Sequence, residues 1–317
     1  MADLHATKRL VPDDTGIARA AEVLLAGGLV SFPTETVYGL GGVATDDIAV
    51  ARIFEAKGRP HFNPLIAHVP DLEAVSKIAE LSGRAHDLAQ AFWPGPLTLV
   101  LPMRADAGLS PLVSAGLTTV AVRVPDHPLT QKLLRAVGRP VVAPSANPSG
   151  RISPTEAEHV LAGLGGRIEA VLDGGPCSVG VESTIVGFNP EPVLLRPGGL
   201  PAEAIEDALG APLARRAEGA GINAPGQLAS HYAPDARVRL DAEAARPGER
   251  MLGFGGVDGE MNLSPSGDLV EAAANLFRML HALDAAGDAP IAVAPVPDTG
   301  LGRAINDRLR RAAAPRG

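Results

Sequence analysis

The stretch FEAKGRPHFNPLIAHV, residues 54–69, places cations and hydrogen-bond donors around one glycine and two prolines. Lys57 followed by glycine and proline is typical of an ordinary helix end. A helix end does not require Arg59, nor Asn63 and His68 a few residues later. Two fixed cations with neighbouring donors can hold a phosphate or a carboxylate. The stretch therefore predicts an anion-binding loop, with a plain helix end as the alternative.

Three further stretches begin at apolar, strand-like segments and continue into small polar residues: FPTETVYGLGG (32–42), VVAPSANPSGRISPT (141–155) and LDGGPCSVGVESTIV (172–186). Ligands of open α/β sheets bind beyond the carboxyl ends of strands, and glycine lets the backbone approach them closely. Glu182 is expected to face the same cleft. Local turns and helix caps are the alternative, and Ser153 is expected at least to cap the next helix.

The sequence lacks the motifs of several enzyme classes. The glycines of 172–186 do not follow the G-x-x-x-x-G-K-[ST] order of a phosphate-binding loop. No H-E-x-x-H, Cys/His cluster or G-x-S-x-G occurs, so protein-bound zinc and serine hydrolysis are not predicted. Lys, Arg, Ser, Thr and Asn with few carboxylates suit an anionic substrate that attacks phosphorus, because fixed cations and orientation then provide most of the acceleration. Surface positions are expected for His5, His86, His159 and His281.

Composition limits the class of protein. The 317 residues are 46% hydrophobic, enough for a large core. The net charge of −8 and the 3% aromatic content argue against a general nucleic-acid-binding surface. No apolar run is long enough to span a membrane, and the N-terminus lacks the order of a signal peptide. The only cysteine, Cys177, is expected to be a buried thiol in a reducing compartment, so we expect the protein in the cytoplasm.

Alternating helical and strand-like segments predict how these residues are positioned. Residues 1–211 are expected to form an α/β domain with a mixed sheet and flanking helices, because several strands follow one another through short connections. Residues 212–236 lose apolar periodicity and are rich in Ala, Gly and Pro, which predicts a linker. Residues 237–317 alternate strands and helices, which predicts a small Rossmann-like α/β domain. A single helix is expected over residues 71–92.

Taken in order, these motifs resemble the threonylcarbamoyl-AMP synthase family, the YrdC-like proteins, in its long two-domain form. The resemblance spans nearly the whole chain and includes no departure within the motifs. It rests on PTETVYGLG, KGRP followed by NPL, VAVRVPDHP, APSANPSG with SPT, DGG with VESTIV, LRPG, and HYAP in the linker.

This resemblance implies that L-threonine, bicarbonate and ATP are converted to L-threonylcarbamoyl-AMP and pyrophosphate, for threonylcarbamoyladenosine formation in tRNA. It implies a twisted mixed sheet and a linker that closes over a positively lined cavity. Lys57 and Arg59 are the expected catalytic residues. The resemblance assigns L-threonine to Thr34, His68, Arg123, Ser145 and Ser183. It assigns the nucleotide to Lys57, Arg59, Thr119, Asn147, Ser153, Arg196 and Tyr232.

The same resemblance implies Mg²⁺ held mainly by the phosphates of ATP, with no metal site made by protein side chains. The product is expected to pass to downstream tRNA threonylcarbamoyl transferase proteins, and direct tRNA binding is expected to be weak or absent. A non-catalytic RNA-binding module of the same fold is the alternative. Carbamoyl transfer in hydrogenase maturation is a second one, but the acylphosphatase segment and zinc-type cysteines that it expects do not occur here.

Overall fold

The computed structural model describes residues 6–60, 62–188, 191–215 and 231–315. The elements of the first part, in chain order, are β1 (Lys8–Leu10), α1 (Asp14–Leu25), β2 (Val30–Phe32), β3 (Gly39–Val43), α2 (Asp47–Lys57), β4 (Ile66–His68), α3 (Leu72–Ser76), α4 (Gly83–Phe92), β5 (Leu97–Pro102), α5 (Pro111–Ser114), β6 (Thr119–Arg123), α6 (Pro128–Val137), β7 (Val141–Val142), α7 (Ala157–Leu164), β8 (Ala170–Leu172), β9 (Thr184–Phe188), β10 (Pro192–Arg196), α8 (Ala202–Leu209) and β11 (Ala214–Arg215). The remaining elements are β12 (Val238–Arg239), β13 (Arg250–Gly253), β14 (Met261–Asn262), α9 (Leu269–Ala285), β15 (Ile291–Val293) and α10 (Gly302–Ala313).

The first part is built on one mixed sheet, which confirms the predicted fold class. Among the described residues its eleven strands run in the order β1-β8-β2-β3-β7-β4-β6-β5-β9-β10-β11. Pairs such as β4 with β6 are parallel, whereas β5 with β6 and β9 with β10 are antiparallel. Short connections such as that from β9 to β10 allow only antiparallel neighbours.

The second part is a small parallel sheet in the order β12-β15-β13-β14, with α9 and α10 beside it. This arrangement confirms the Rossmann-like prediction. The apolar stripe of α9 packs into a core that also takes in Val37, Ile152 and Val181 from the first part. The two parts therefore share a buried apolar cluster.

Alternation along the strands creates two different faces of the main sheet. On one face of β4, β6 and β9, side chains join the largest core: Ala67, Val122 and Val186. On the other face the alternate residues form a small separate cluster: Ile66, Ala121 and Ile185. Helices α1 and α6 cover this second face over β1, β2, β7 and β8. The candidate site lies on this second face, over β4, β6 and β9.

The expectation of one helix over residues 71–92 is wrong. The structure has two helices, α3 and α4, and Gly83 begins the second with a φ of +52°. The chain between them turns to the end of β5, where the backbone N–H of Glu80 donates to the carbonyl of Pro102. That pairing satisfies backbone groups that a continuous helix would otherwise have bonded internally.

The predicted linker, residues 212–236, falls largely on 216–230, which lie outside the described residues. The domain boundaries at 211 and 236 therefore stay predictions. No helix in the described ranges has the length and apolar content needed to cross a bilayer.

Candidate active site

A cavity of about 50 Å³ lies on the second face of the main sheet, where β4, β6, β9 and β10 approach the loops 34–37, 143–145 and 231–232. Its polar lining consists of Thr36, Arg59, His68, Arg123, Ser145, Glu182, Ser183, Arg196, His231 and Tyr232. Strand alternation explains why these side chains meet. His68 and Arg123 are paired in register at the ends of β4 and β6, each two residues beyond a member of the apolar cluster on the same face.

Arg123 is 3% exposed and held from three sides. Its Nε donates to the carbonyl of Gly95 at 3.3 Å, and one terminal nitrogen donates to the Thr36 hydroxyl at 2.8 Å. The other terminal nitrogen forms an ion pair of 2.6 Å with Glu35. The angles of this ion pair are not those of a hydrogen bond, so both Glu35 oxygens lack a hydrogen-bond partner among the described residues. A buried guanidinium fixed in this way is suited to a carboxylate ligand.

Thr34 lies one residue away from the cavity lining. Its hydroxyl donates to the carbonyl of Val37 at 2.7 Å and lies 2.8 Å from the hydroxyl of Thr36. Thr34 therefore shapes the 34–37 loop, while Thr36 presents its hydroxyl to Arg123. The sequence prediction named Thr34 and missed Thr36 and Glu35, although all three lie in the same PTETVYGLG motif.

His68 is a neutral imidazole in this site. Burial, followed by the charge of Arg123, lowers its pKa to about 3. Its Nδ1 lies 3.2 Å from the carbonyl of Ile66. Because a neutral imidazole has one N–H and one acceptor nitrogen, His68 offers hydrogen bonds but no positive charge.

Lys57 is the last residue of α2, and Gly58 ends the helix with a φ of +59°. Its ammonium donates to the carbonyls of Ser145 and Asn147, and its own carbonyl accepts from the backbone of Ser149. Burial, and then the neighbouring Arg59, lowers the pKa of Lys57 well below its usual value. Lys57 thus stands directly behind the 145–149 loop. A lysine ammonium has three donors, so the two carbonyls leave one for a ligand.

Arg59 turns back over the loop that follows α2. Its Nε and one terminal nitrogen donate to the carbonyls of Asn63 and Pro64 at 3.3 and 2.9 Å. Burial lowers its pKa to about 10, so the guanidinium is still charged at neutral pH. The structure therefore supports the predicted cationic loop, in which the helix end and the second cation occur together.

Arg196 ends β10 and reaches the start of β9. Its Nε and one terminal nitrogen donate to the carbonyl of Ser183 at 3.1 and 2.9 Å, and the latter also reaches the Ser183 hydroxyl at 3.2 Å. Gly198, two residues after Arg196, lets the turn after β10 pack directly against the backbone of residues 182–184. A Cβ added there would lie 2.3 Å from the carbonyl oxygen of Glu182 and 2.4 Å from the backbone of Thr184.

Asn147 and Ser153 lie behind the cavity. The Asn147 amide nitrogen donates to the carbonyls of Pro148 and Arg151, and its Oδ1 is buried without a hydrogen-bond partner among the described residues. The Ser153 hydroxyl donates to Glu182, which confirms that Glu182 faces the cleft. The N-cap position of α7 is Glu156, so the prediction that Ser153 caps this helix is wrong.

Tyr232 reaches the cavity from the C-terminal end of the predicted linker. It is 1% exposed, and its φ of +62° is unusual for a residue with a side chain. Its ring stacks on Phe277 of α9, with centroids 5.7 Å apart. The adjacent His231 is also buried, which lowers its pKa to about 3.

Two other histidine predictions need correction. His159 and His281 were expected at the surface, but they stack on each other across the two parts with ring centroids 3.8 Å apart. Burial lowers the pKa of each to about 4. His5 lies outside the described residues. Cys177 is a buried thiol whose pKa is raised by burial, in keeping with the expected structural role.

Seven of the predicted site residues line the cavity together: Arg59, His68, Arg123, Ser145, Ser183, Arg196 and Tyr232. Four more predicted residues do not line the cavity but contact a residue that does: Lys57, Asn147, Ser153 and Thr34. Thr119 is apart from the others. It lies at the opposite end of β6, roughly 13 Å along the strand from Arg123 on the same face.

No group of three His, Cys, Asp or Glu side chains able to hold a metal ion occurs in the ranges that the structure describes. The two carboxylates nearest the cavity, Glu35 and Glu182, are paired with Arg123 and Arg308. The donor set of the described residues therefore does not fit a protein-ligated metal.

Comparison with known proteins agrees with this geometry. Residues 22–198 match the Sua5/YciO/YrdC family model, described as telomere recombination, and residues 200–314 match the model of the threonylcarbamoyl-AMP synthase C-terminal domain. A threonylcarbamoyl-AMP synthase of Bacillus subtilis is 43% identical over 98% of this chain and 96% of its own length. One of Pyrococcus abyssi is 43% identical over 93% of both chains.

A solved structure of P. abyssi Sua5 complexed with L-threonine superposes with a TM-score of 0.88, at 39% identity and with 98% of both chains covered. Both parts of the present chain are included in that match. The chain therefore belongs to the threonylcarbamoyl-AMP synthase family.

Proposed function

We propose that this protein is a threonylcarbamoyl-AMP synthase, which converts L-threonine, bicarbonate and ATP to L-threonylcarbamoyl-AMP and pyrophosphate. Family membership supports the activity, and one structural observation supports the placement of the substrates. A buried guanidinium suited to a carboxylate, Arg123, shares one cavity with the cations Arg59 and Arg196, behind which Lys57 lies. An amino acid and a triphosphate are the two anions that this pair of subsites fits.

In this proposal the carboxylate of L-threonine binds Arg123. Neutral His68 and the hydroxyls of Thr36, Ser145 and Ser183 offer hydrogen bonds to its amine and hydroxyl, and Thr34 keeps the loop in place. The apolar side chains of the lining can receive its methyl group: Val37, Leu65, Ile66 and Ala143.

The triphosphate binds at Lys57, Arg59 and Arg196, with Asn147 and Ser153 beside it. The apolar cluster Ile66, Ala121 and Ile185 lies on the sheet face between Arg123 and Thr119. These apolar side chains, which are buried in the present structure, suit the adenine ring, with Thr119 at the far edge of the cluster.

The chemistry follows from these placements. The amine of threonine condenses with bicarbonate to form a carbamate, with loss of water. A carbamate oxygen attacks the α-phosphorus of ATP, and the bond from that phosphorus to the bridging oxygen breaks to release pyrophosphate. Because the nucleophile is already an anion, the site needs fixed positive charge more than a strong base. Lys57, Arg59 and Arg196 supply that charge.

We expect Mg²⁺ to enter bound to the phosphates of ATP, where it neutralises part of their charge. The described carboxylates of the site, Glu35 and Glu182, are already engaged by arginines, which favours the phosphates as the ligands of the ion. We propose further that the product passes to a tRNA threonylcarbamoyl transferase, and that the protein acts in the cytoplasm, which its single cysteine favours.

The cavity of about 50 Å³ is far smaller than the roughly 300–1,000 Å³ of small-molecule sites. We therefore infer that the segment carrying His231 and Tyr232 moves aside for ATP to enter and closes over it afterwards. The hydrogen bonds that hold this segment include those from the backbone N–H of Ala233 to the carbonyl of Gly150 and from that of His231 to the carbonyl of Arg311.

The test is an incubation of the purified protein with ATP, labelled bicarbonate and a panel of amino acids. We expect pyrophosphate release and a labelled adenylate with threonine and little with the others. Pyrophosphate release that does not depend on threonine, or no pyrophosphate release with any amino acid, would contradict the proposed synthase activity. Filter binding with tRNA, with and without ATP and threonine, tests the RNA-binding alternative in the same preparation.

A further inference from the structure

Arg308 of α10 has the largest fully buried side chain of the described residues, with 0% exposure. It belongs to the small C-terminal part, but its guanidinium contacts residues of the first part. Its Nε donates to Glu182 Oε2 at 2.8 Å, and one terminal nitrogen donates to the carbonyl of Pro197 at 2.7 Å. That terminal nitrogen also lies 2.9 Å from Asp307.

Glu182 is the partner that matters for the site, since it lines the cavity and is itself 7% exposed. Both of its oxygens are engaged away from the cavity. One accepts from Arg308 and the other from the hydroxyl of Ser153. Burial acts to raise the pKa of Glu182, but Arg308 and then Arg196 outweigh it and hold the pKa below its usual value. The carboxylate is therefore charged.

A charged carboxylate beside a triphosphate site is unfavourable unless it is neutralised. Two like charges at close range in a partly desolvated site repel each other far more strongly than they do in water. Without Arg308, Arg196 is the other cation of the cavity lining whose charge acts on Glu182. That arginine would be drawn toward the carboxylate and away from a phosphate.

Arg308 also supports the residue that covers the cavity. Its guanidinium carbon lies 5.2 Å from the centre of the Tyr232 ring. The same ring also stacks on Phe277. One buried side chain of the small part thus contacts both the carboxylate behind the nucleotide subsite and the tyrosine over it.

We propose that Arg308 is a positioning residue for ATP: it neutralises Glu182, so that this carboxylate neither repels the phosphates nor draws Arg196 toward itself, and it contacts the Tyr232 ring over the cavity. This rests on the proposed function for the identity of the nucleotide. It assigns the C-terminal part a direct role in nucleotide affinity, and none in threonine binding at Arg123.

The experiment uses the full chain and measures binding without turnover. Arg308→Met removes the charge and keeps most of the volume. Binding of a non-hydrolysable ATP analogue and of L-threonine is measured separately by calorimetry. We expect the affinity for the analogue to fall about tenfold or more, as for other truncated buried charge pairs, and the affinity for threonine to change less than about threefold.

The double variant Arg308→Met with Glu182→Gln is the decisive measurement. It removes both charges and keeps an oxygen for the Ser153 hydroxyl, so we expect analogue affinity within about threefold of wild type. The matched control is Arg310→Met, an exposed arginine of the same helix, which we expect to leave both affinities unchanged.

Equal losses for the analogue and threonine in Arg308→Met would overturn the proposal, because they would indicate a merely structural role. Should the single variant fail to fold, a folded double variant that binds the analogue poorly would overturn it equally. Wild-type protein that binds the analogue but releases no pyrophosphate with threonine would contradict the proposed function and leave this test intact.

Discussion

At the scale of single residues, the site is defined by buried cations that the protein itself already coordinates. Arg123 contacts Gly95, Thr36 and Glu35, and Lys57 contacts two backbone carbonyls. These contacts fix the position of each charge before a substrate arrives. Preorganised charge of this kind accelerates a reaction because little reorganisation is needed when charge develops.

Arg123→Lys is expected to weaken L-threonine binding by about tenfold to a hundredfold, because an ammonium cannot reproduce a planar, two-pronged contact with a carboxylate. Binding of an ATP analogue should change little. Calorimetric titration with each ligand checks this. Arg104→Lys, an exposed arginine paired with Asp106, is the control. Unaltered threonine affinity in Arg123→Lys would remove this residue from the carboxylate subsite.

The lowered pKa of Lys57 predicts pH-dependent nucleotide binding. Burial and Arg59 favour the neutral amine, whereas a bound triphosphate favours the protonated one. ATP affinity should therefore fall as the pH rises through the pKa of Lys57 in the ligand-free protein. KM for ATP, measured from about pH 6 to about pH 9, below the pKa of about 10 of Arg59, should rise in the wild type. Lys57→Met should bind ATP weakly and lose this dependence; a variant that retains the same pH profile would contradict the explanation.

At the scale of elements, strand ends and glycine contacts determine which side chains reach the cavity. Alternation along β4 and β6 places His68 and Arg123 on one face, and the register of the two strands sets them side by side. Helix α2 delivers Lys57 to the same region. The turn after β10 packs directly on the backbone that precedes β9, where only a glycine fits at position 198.

Gly198→Ala is expected to destabilise the protein by roughly 3 kcal/mol and to weaken ATP binding, because the new methyl group must push the β10 turn away from Glu182 and displace Arg196. Denaturant unfolding and ATP titration measure the two effects. Gly256→Ala serves as the control, since a Cβ there meets no atom within 4 Å. Equal stability of the two variants would be evidence against the close packing.

At the scale of the whole molecule, the small part completes the site rather than standing apart from it. Its core includes Val37, Ile152 and Val181 from the loops around the cavity. Gly180, with a φ of +77°, lies where an added Cβ would be 2.4 Å from the carbonyl oxygen of Ala273 in α9. The buried Arg308 extends the same interface to Glu182.

Acid should destabilise the folded protein. His68 and His231 have a pKa of about 3 because they are buried, whereas an unfolded chain binds protons with the ordinary pKa of about 6.5. Between these values the unfolded state binds more protons, so the free energy of unfolding falls as the pH is lowered. Each residue should contribute roughly 1–2 kcal/mol of loss at about pH 5.

Urea unfolding at about pH 7 and about pH 5 measures this difference. His231→Gln should lose less stability on acidification than the wild type does. His86→Gln, in which a half-exposed imidazole is replaced, is the control and should lose as much as the wild type. An unchanged loss in His231→Gln would contradict the assignment to buried histidines.

The sequence by itself determined the fold class, the two α/β parts and most of the polar residues that line the candidate cavity. Motif order and strand alternation are properties of the sequence itself, so they can be recognised without coordinates. Local patterns did not determine every helix. Residues 71–92, expected to be one helix, form α3 and α4, whereas α6 has the ordinary local signals of a helix, with Pro128 at its start and Gly138 after its end.

Only the tertiary structure decided which residues meet across long separations in the chain. Thr36 and Glu35 contact Arg123, Glu182 contacts Ser153 and Arg308, and His159 stacks on His281. No local pattern encodes these pairs, because strand register, the packing of α10 and the burial of each charge arise only when the two parts assemble. The charge balance around the nucleotide subsite is for that reason a property of the folded molecule.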